Sequence, residues 1–153
     1  MNWFRFVAAF LVAPAAPALL TSAPVLLTAA PSFLVVFLLA CFVTYTHAIV
    51  LGLPAALLLG RARPLGLWRV LGAAFLIGVL PFGAFNLYHE LTMSPGAGYT
   101  ANDVVLREDG RLTGAGLANL AAGILQCGVL GAVAGLVWWL IAVPRAGRSA
   151  HDG

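Results

Sequence analysis

The chain is poor in charge and contains no lysine. Its eight basic residues are all arginine, five residues are acidic, and charged residues make up 8% of the 153 positions. A soluble domain carries about 25% charged residues. No Asp or Glu falls within the long apolar segments, where proton-coupled transporters generally place carboxylates or histidine chains. The composition therefore excludes an ordinary soluble domain and gives no support to a carboxylate-based proton pathway.

Several motifs that carry chemistry are also absent. Cys41 and Cys127 are far apart and form no Cys-x-x-Cys pair, so thiol redox chemistry has no support. The sequence has no His-Glu-x-x-His zinc motif and no Gly-x-Ser-x-Gly nucleophile elbow. The arginines are scattered without a basic stripe, which argues against a nucleic-acid partner. The sequence thus predicts no metal, no cofactor and no catalytic residue.

Four long apolar runs dominate the chain, in which 62% of the residues are hydrophobic. Each is long enough for a helix that crosses the hydrocarbon core, which takes about 18 or more apolar residues. The segment between the third and fourth runs is too short to bury a core of its own. We therefore predict an all-α fold, a single integral membrane domain over 1–153 with a four-transmembrane-helix bundle. The predicted spans are 6–27, 33–59, 70–87 and 117–143, with an external loop at 89–116 and a tail at 144–153.

The arginines predict the orientation of these spans. If the spans alternate, Arg5, the Arg61–Arg69 loop and the tail fall on one side, which then carries six arginines and one acidic residue. The external loop carries two arginines and four acidic residues. Because cytoplasmic loops hold the arginine excess, both termini are predicted to be cytoplasmic. The Ala/Gly/Leu-rich, lysine-free composition suggests a bacterial inner membrane, with the first span retained rather than cleaved as a signal peptide.

Prolines and glycines predict where the helices bend and turn. Pro14 and Pro17 remove backbone donors and should bend the first span. The small polar residues and prolines of Ser22–Ser32 are expected to hold the turn that follows. A Gly-Leu-Pro sequence at 52–54 should bend the long second span near its cytoplasmic end.

The external loop contains a signal for a short β-hairpin. Asp109-Gly110 lies between two flanks that contain apolar residues, and Asp-Gly is a favoured hairpin turn. An irregular turn is the alternative. An isolated two-stranded hairpin is marginal in water, so this one should lean on the helices or on the membrane surface.

Small residues recur at every fourth position in two of the spans, so each set lies on one helix face. Helices embedded in lipid associate through such faces, because their backbones can approach closely. The two ridges are expected to face each other or to mediate self-association. The second span contributes Ala40, Thr44, Ala48, Gly52, Ala56 and Gly60, and the fourth contributes Asn119, Gly123, Cys127, Gly131 and Gly135.

His47 is the most deeply placed titratable group, near the middle of the second span beside Thr44 and Tyr45. Ionisable residues within spans usually face the protein interior and are functional candidates. His47 is either a proton-relay, metal or haem ligand, or a neutral histidine hydrogen-bonded within the bundle, and we favour the second interpretation. Gln126 in the fourth span is expected to bond to another helix rather than to a substrate. Together these four residues mark the candidate polar path of a transporter.

A second polar cluster, Asn86, His89 and Glu90, lies at the outer end of the third span. A histidine with a carboxylate can bind a metal or act as a base. Adjacent residues on a helix do not share a face, however, so a cap or an anchor for the loop is the favoured interpretation.

The favoured function is a structural or accessory component of the membrane that acts through helix–helix association, without catalytic activity of its own. Its expected partners are the lipid bilayer and either further copies of itself or another membrane protein. The alternative is a small transporter or channel subunit with a polar path around His47. A membrane enzyme that uses His89 and Glu90 is the third hypothesis.

The charge distribution makes the topology testable. A reporter fused to the C-terminus should be active on the cytoplasmic side, because the arginine-rich segments should remain there. The same reporter inserted near Gly98 should be active on the opposite side. Paired cytoplasmic and external reporters measure both positions, and the reverse pattern would show that the predicted orientation is wrong.

Overall fold

The computed structural model describes residues 3–28, 30–62, 66–92, 96, 98–101 and 103–143, and most of them are helical. Four helical segments are long and apolar enough to cross a membrane, and we call them spans 1 to 4. Their number agrees with the prediction, and the predicted tail at 144–153 lies outside the described residues. The spans are Trp3–Thr28, Pro31–Leu59, Leu67–Thr92 and Gly114–Ala142.

Breaks within spans 1 and 2 divide the described chain into six α-helices, one π turn and three short strands. Because the spans alternate, the start of span 1 and the end of span 4 lie at one end of the bundle, which we call the terminal end. The strands lie at the opposite end, the sheet end. The elements are α1 (Trp3–Val12), α2 (Ala15–Thr28), α3 (Ala30–His47), the π turn (Ala48–Gly52), α4 (Leu53–Ala62), α5 (Leu67–Thr92), β1 (Tyr99–Ala101), β2 (Val104–Glu108), β3 (Arg111–Leu112) and α6 (Gly114–Ala142).

Span 1 bends where proline interrupts its backbone hydrogen bonds. Pro14 has no N–H to donate to the carbonyl of Phe10, and a turn at Ala13 and Pro14 separates α1 from α2. Pro17 lies in the first turn of α2, where a missing N–H is tolerated. The predicted bend is therefore placed at the first of the two prolines.

The turn between spans 1 and 2 is shorter than the predicted Ser22–Ser32. Helix α2 continues to Thr28 and α3 begins at Ala30, so the prediction was wrong for residues 22–28 and 30–32. The hydroxyl of Ser22 donates to the carbonyl of Ala18 at 2.8 Å, which satisfies this fully buried side chain within its own helix. Small polar residues that indicate a turn from sequence are thus accommodated inside a helix by bonding back to its carbonyls.

Span 2 bends in a π turn. Pro54 lacks the N–H that would bond to Val50, and the N–H of Leu53 bonds instead to the carbonyl of Ala48, five residues back. A π turn contains one more residue than an α turn, which changes the direction of the side chains that follow. A bend at 52–54 was predicted, and the structure places it directly after His47.

The segment between spans 3 and 4 forms a three-stranded antiparallel sheet in the order β1–β2–β3. β2 and β3 form the predicted hairpin, and the turn residues Asp109 and Gly110 have φ of 48° and 78°. Positive φ at both positions matches the type I′ turn that Asp-Gly favours. β1 was not predicted, because three residues are too few for an alternating pattern. The loop is also shorter than 89–116, since α5 extends to Thr92 and α6 begins at Gly114.

The sheet is attached to the start of α6 through Thr113. This residue caps α6, and its hydroxyl accepts the N–H of Gly116 at 3.0 Å and donates to the carbonyl of Val105 at 2.7 Å. Its own N–H donates to the carbonyl of Leu106 at 3.1 Å. A Cβ at Gly116 would overlap the carbonyl oxygen of Leu106, so a glycine is needed for this approach.

A cluster of buried hydrophobic side chains lies at the terminal end, where α1, α5 and α6 meet. Phe6, Val70 and Trp138 belong to one cluster, and Trp138 is 7% exposed. The indole of Trp138 meets the rings of Phe6 and Phe10 nearly edge-on, with centroids 5.9 Å apart in each pair. Aromatic pairs favour this arrangement, and it joins α1 to α6.

Large apolar side chains cover the outside of the bundle. None of the described residues of span 2 is buried, and its Phe42 and Leu34 are 71% and 60% exposed. Monomeric soluble proteins rarely expose apolar patches of this size. The pattern is compatible with a multi-pass membrane protein, in which lipid covers these side chains.

Spans 3 and 4 make the most extensive helix contact in the described part of the chain. Gly131 and Gly135 of α6 face Ala74 of α5, and a Cβ at Gly131 would overlap the carbonyl oxygen of Ala74. Nearer the sheet end, a Cβ at Gly123 would lie 3.2 Å from the ring of Phe82. The small-residue ridge of span 4 therefore packs on span 3.

We predict that Gly131→Ala and Gly83→Ala have different effects, although both replace a helical glycine. At Gly131 the new methyl group meets the backbone of span 3, and overpacking of this kind typically costs about 1–3 kcal/mol. At Gly83 nothing lies within 4 Å of an added Cβ, so stability should be kept or slightly raised, because alanine is the better helix former. Thermal unfolding in detergent measures both variants. Equal melting temperatures would contradict the packing.

Candidate functional site

A cavity of about 650 Å³ lies among the four spans. Every span contributes to its wall, including Pro17 of span 1, Ala40 of span 2, Ile77 of span 3 and Leu130 of span 4. The volume falls within the range of about 300–1,000 Å³ that is typical of small-molecule sites. Most of the wall is apolar, which suits an apolar ligand and not an aqueous channel.

Small residues on two facing walls create this space. Ala48 and Gly52 of the span 2 ridge line one wall, and Gly131 and Gly135 of the span 4 ridge line another. Because these side chains are short, the helices leave a gap between them. One alternative from the sequence was that the two ridges face each other. Gly131 and Gly135 instead point at Ala74 of span 3, and both ridges border the same cavity.

His47 lines this cavity where α3 meets the π turn. Its Nδ1 lies 2.7 Å from the carbonyl oxygen of Val43, four residues earlier in the same helix. A carbonyl oxygen can only accept, so Nδ1 donates in this bond, and Nε2 is the nitrogen at which an imidazole of this tautomer accepts. His47 makes no other hydrogen bond to the described residues. The cavity therefore contains one unoccupied acceptor.

Of the residues predicted to share a polar path with His47, Thr44 lines the same cavity. Its hydroxyl donates to the carbonyl of Cys41 at 3.1 Å and so bonds to its own helix. Tyr45 has a different role, because its hydroxyl donates to the carbonyl of Leu11 beside the bend of span 1. Tyr45 thus connects span 2 to that bend, a contact that the sequence pattern did not indicate.

Gln126 does not line the cavity. It is exposed on the outer face of α6, about 200° around the helix axis from the buried Gly128. The expected hydrogen bond to another helix is not found among the described residues. Asn119 is exposed on the same face and likewise has no hydrogen bond there. Two amides therefore extend from the surface of span 4 without partners in the described chain.

Glu90 of the outer polar cluster forms an ion pair with Arg107 of β2. The Arg107 guanidinium also donates to the carbonyl of Gly110 at 2.7 Å, and Arg107 is 5% exposed. A cation buried to this degree is strongly destabilising without its partner. The pair thus fixes the sheet to the end of span 3. Sequence analysis missed Arg107 as the partner, because no local pattern distinguishes it from the neighbouring Arg111.

Asn86 and His89 do not join this ion pair. The side-chain amide of Asn86 donates to the carbonyl of Phe82 at 2.8 Å, and the ring of His89 stacks on Phe85 with centroids 6.3 Å apart. The predicted outer cluster is therefore divided among three different partners, which favours an anchor for the sheet. In the described ranges, no group of three or more His, Cys, Asp or Glu side chains is placed to hold a metal ion.

No family model, curated protein or solved structure matches the chain. Three features remain from which a function can be inferred. They are the apolar cavity beside His47, the exposed amides of span 4 and the ion pair that holds the sheet.

We predict that Glu90→Ala destabilises the protein more than Glu108→Ala. The first variant leaves the buried Arg107 without its partner, and breaking a buried pair costs about 3–5 kcal/mol. Because Glu90 is partly exposed, the loss of stability should be near or below the lower end of this range. Glu108 follows Arg107 on β2, is exposed, and is the matched control. Thermal unfolding, with hydrogen exchange of the β2 amides, measures the effect, and equal losses in the two variants would argue against the anchor.

Proposed function

We propose that the protein is an integral membrane protein that acts as a structural or accessory component through association between helices. The four apolar spans and the apolar outer surface support the placement in a membrane. The observation that carries the proposed role is the pair of unpartnered amides, Asn119 and Gln126, on the outer face of span 4.

Gln126 would lie deep in the lipid. It is about 18 Å along α6 from Gly114, at 1.5 Å per residue, and a hydrocarbon core is about 30 Å thick. Lipid tails cannot hydrogen-bond to an amide, and an unsatisfied polar group at this depth costs several kcal/mol. A second helix that bonds to the amide removes this cost. The same position on a soluble protein would need no partner, so the argument depends on the membrane placement.

The half of this face toward the sheet end suits close packing of helices. Ala115 and Ala122 lie within about 40° of Gln126 around the helix axis, and both are exposed. Small residues allow two backbones to approach. An amide both donates and accepts, so Gln126 of one copy can pair with Gln126 of a second copy. We therefore propose a homo-oligomer that is built through the outer face of span 4.

The proposed location is a bacterial inner membrane with both termini in the cytoplasm. Six of the eight arginines fall on the terminal side if the spans alternate, and arginine-rich loops tend to remain cytoplasmic. The sheet end would then face away from the cytoplasm, where the Arg107–Glu90 pair holds the sheet against the bundle.

A small transporter is the second candidate, and the cavity is the observation that favours it. The cavity contacts all four spans and contains His47. Its wall is mainly apolar, however, and Tyr45 and Gln126 lie outside it, so a water-filled path has little support. A membrane enzyme that uses His89 and Glu90 has even less support, because Glu90 is paired with Arg107 of the sheet.

Self-association can be measured by energy transfer between two differently labelled populations of the purified protein in liposomes. Gln126→Leu should weaken association about 3- to 18-fold, since hydrogen bonds between membrane helices are worth about 0.6–1.7 kcal/mol. Asn86→Leu is the matched control, because that amide already bonds within its own helix. Transfer at the level of random mixing for the wild type, or equal transfer for Gln126→Leu and wild type, would contradict the proposal.

A further inference from the structure

We propose that the cavity binds a long-chain lipid alcohol. The hydroxyl of the alcohol donates a hydrogen bond to Nε2 of His47, and its hydrocarbon chain lies along the small-residue walls. The site goes beyond helix association, because it uses the interior of the bundle rather than the outer face of span 4.

The cavity wall selects for hydrocarbon. The hydroxyl of Thr21 donates to the carbonyl of Pro17 at 2.8 Å, and that of Thr44 donates to Cys41. Both hydroxyls are therefore already used within their own helices, and the remaining side-chain N–H donor of the described wall besides His47 is the buried indole of Trp138, which has no hydrogen bond to the described residues. A charged or strongly polar ligand would lose most of its hydration in this cavity with few replacement bonds. Apolar cavities also tend to remain free of water, so a lipid chain is the occupant whose transfer into the cavity costs the least free energy.

The cavity is long enough for such a chain. It extends from Phe85 near the sheet end to Trp138 near the terminal end. Counted at 1.5 Å per residue along α5 and α6, with Gly131 level with Ala74, these two positions differ by about 27 Å in height. His47 lies between them, near the middle of span 2. A chain with its head at His47 can therefore extend along either half of the cavity, and the end of a longer chain would reach the surrounding lipid.

The single unoccupied acceptor of His47 selects the head group. Its Nδ1 donates to the carbonyl of Val43 at 2.7 Å, which leaves Nε2 as the nitrogen that accepts in this tautomer of the imidazole. A ketone, an ether, an ester or a carboxylate has acceptors alone and cannot donate to Nε2. An alkane offers neither. A hydroxyl is the simplest group that donates to Nε2 and still dissolves in an apolar cavity.

The π turn keeps space open next to the imidazole. It begins at Ala48, directly after His47, and it places Ala48 and Gly52 on the cavity wall. A Cβ at Gly52 would lie 3.8 Å from the ring of Phe10, an ordinary van der Waals contact, so span 2 reaches span 1 at this point. π turns within α-helices are frequent at functional sites. Here the turn, the small residues and the free acceptor occur together.

The test uses the purified full chain in detergent and hexadecanol that carries a photoreactive diazirine on its chain. We expect labelling of cavity residues such as Ile77 and Leu130, and competition by unlabelled hexadecanol. Hexadecane should compete about 2- to 13-fold more weakly, as expected for the loss of one hydrogen bond worth about 0.5–1.5 kcal/mol. Equal competition by hexadecane, or stronger competition by hexadecanoate, would overturn the proposal.

Variants of the imidazole test the head-group contact. His47→Leu should weaken hexadecanol binding by the same factor of about 2 to 13 and leave hexadecane binding unchanged. His47→Gln should bind better than His47→Leu, because its amide oxygen can accept. His89→Leu, outside the cavity, is the control and should bind as wild type does. Wild-type discrimination between hexadecanol and hexadecane in His47→Leu would overturn the assignment.

Variants of the wall test the chain contact. Ala134→Leu adds bulk inside the cavity and should abolish most of the labelling, whereas Ala84→Leu adds the same bulk at an exposed position of span 3 outside the cavity and should not. Melting temperatures measure whether both variants fold. If Ala134→Leu does not fold, Ala40→Leu on another part of the wall replaces it. Normal labelling in a folded cavity-filling variant would overturn the site.

Two further competitors distinguish the sources of a lipid alcohol. Dioleoylglycerol represents a glycerolipid with one free hydroxyl, and geranylgeraniol represents an isoprenoid alcohol. Competition by either supports the proposal and identifies the natural class. Failure of both, together with failure of hexadecanol, would overturn it.

Discussion

The rest of the structure depends on the close approach of the α5 and α6 backbones. Gly131 and Gly135 allow α6 to contact Ala74 without an intervening side chain. This contact aligns the ends of spans 3 and 4, so the short segment between them can fold into a sheet that both helices hold. Thr113 attaches the sheet to α6, and the Arg107–Glu90 pair attaches it to α5. At the terminal end the same two helices supply Val70 and Trp138 to the aromatic cluster.

The cavity lies where the helices do not approach as closely as α5 and α6 do. Span 2 packs mainly on α2, and none of its described residues is buried. Its small residues and those of span 4 border a gap that neither helix fills. Proline at 54 and the π turn prevent span 2 from running straight alongside its neighbours. A bundle with one tight pair and one separated span has room for a ligand without any loss of contact within the pair.

Features that depend on neighbouring residues could be predicted from the sequence. The number of spans follows from the length of the apolar runs, the bend of span 1 from Pro14, and the hairpin from Asp109-Gly110. Features that depend on distant residues could not. The ion pair between Glu90 and Arg107 and the bond from Tyr45 to Leu11 join segments whose proximity no local pattern specifies.

The direction in which a polar side chain points could not be predicted from the sequence either. Gln126 and Cys127 are adjacent, yet Cys127 lines the cavity and Gln126 is exposed on the outer face. One residue corresponds to about 100° of rotation, and the Ala/Gly-rich span 4 has no strong apolar face from which that rotation could be read. The small-residue ridge of span 4 packs on span 3, which carries no comparable ridge in the sequence.

The aromatic cluster at the terminal end can form only late in the synthesis of the chain. Phe6 and Phe10 contact Trp138, which is about 130 residues later in the chain. A ribosome adds about 5–20 residues per second, so the two rings wait roughly 7–26 s for their partner after they are made. During that interval the first helix lacks its contact with α6, and the bundle closes at this end when α6 arrives. A chain interrupted before Trp138 would leave both rings without this partner and more exposed, a difference by which a protease can distinguish it from the finished protein.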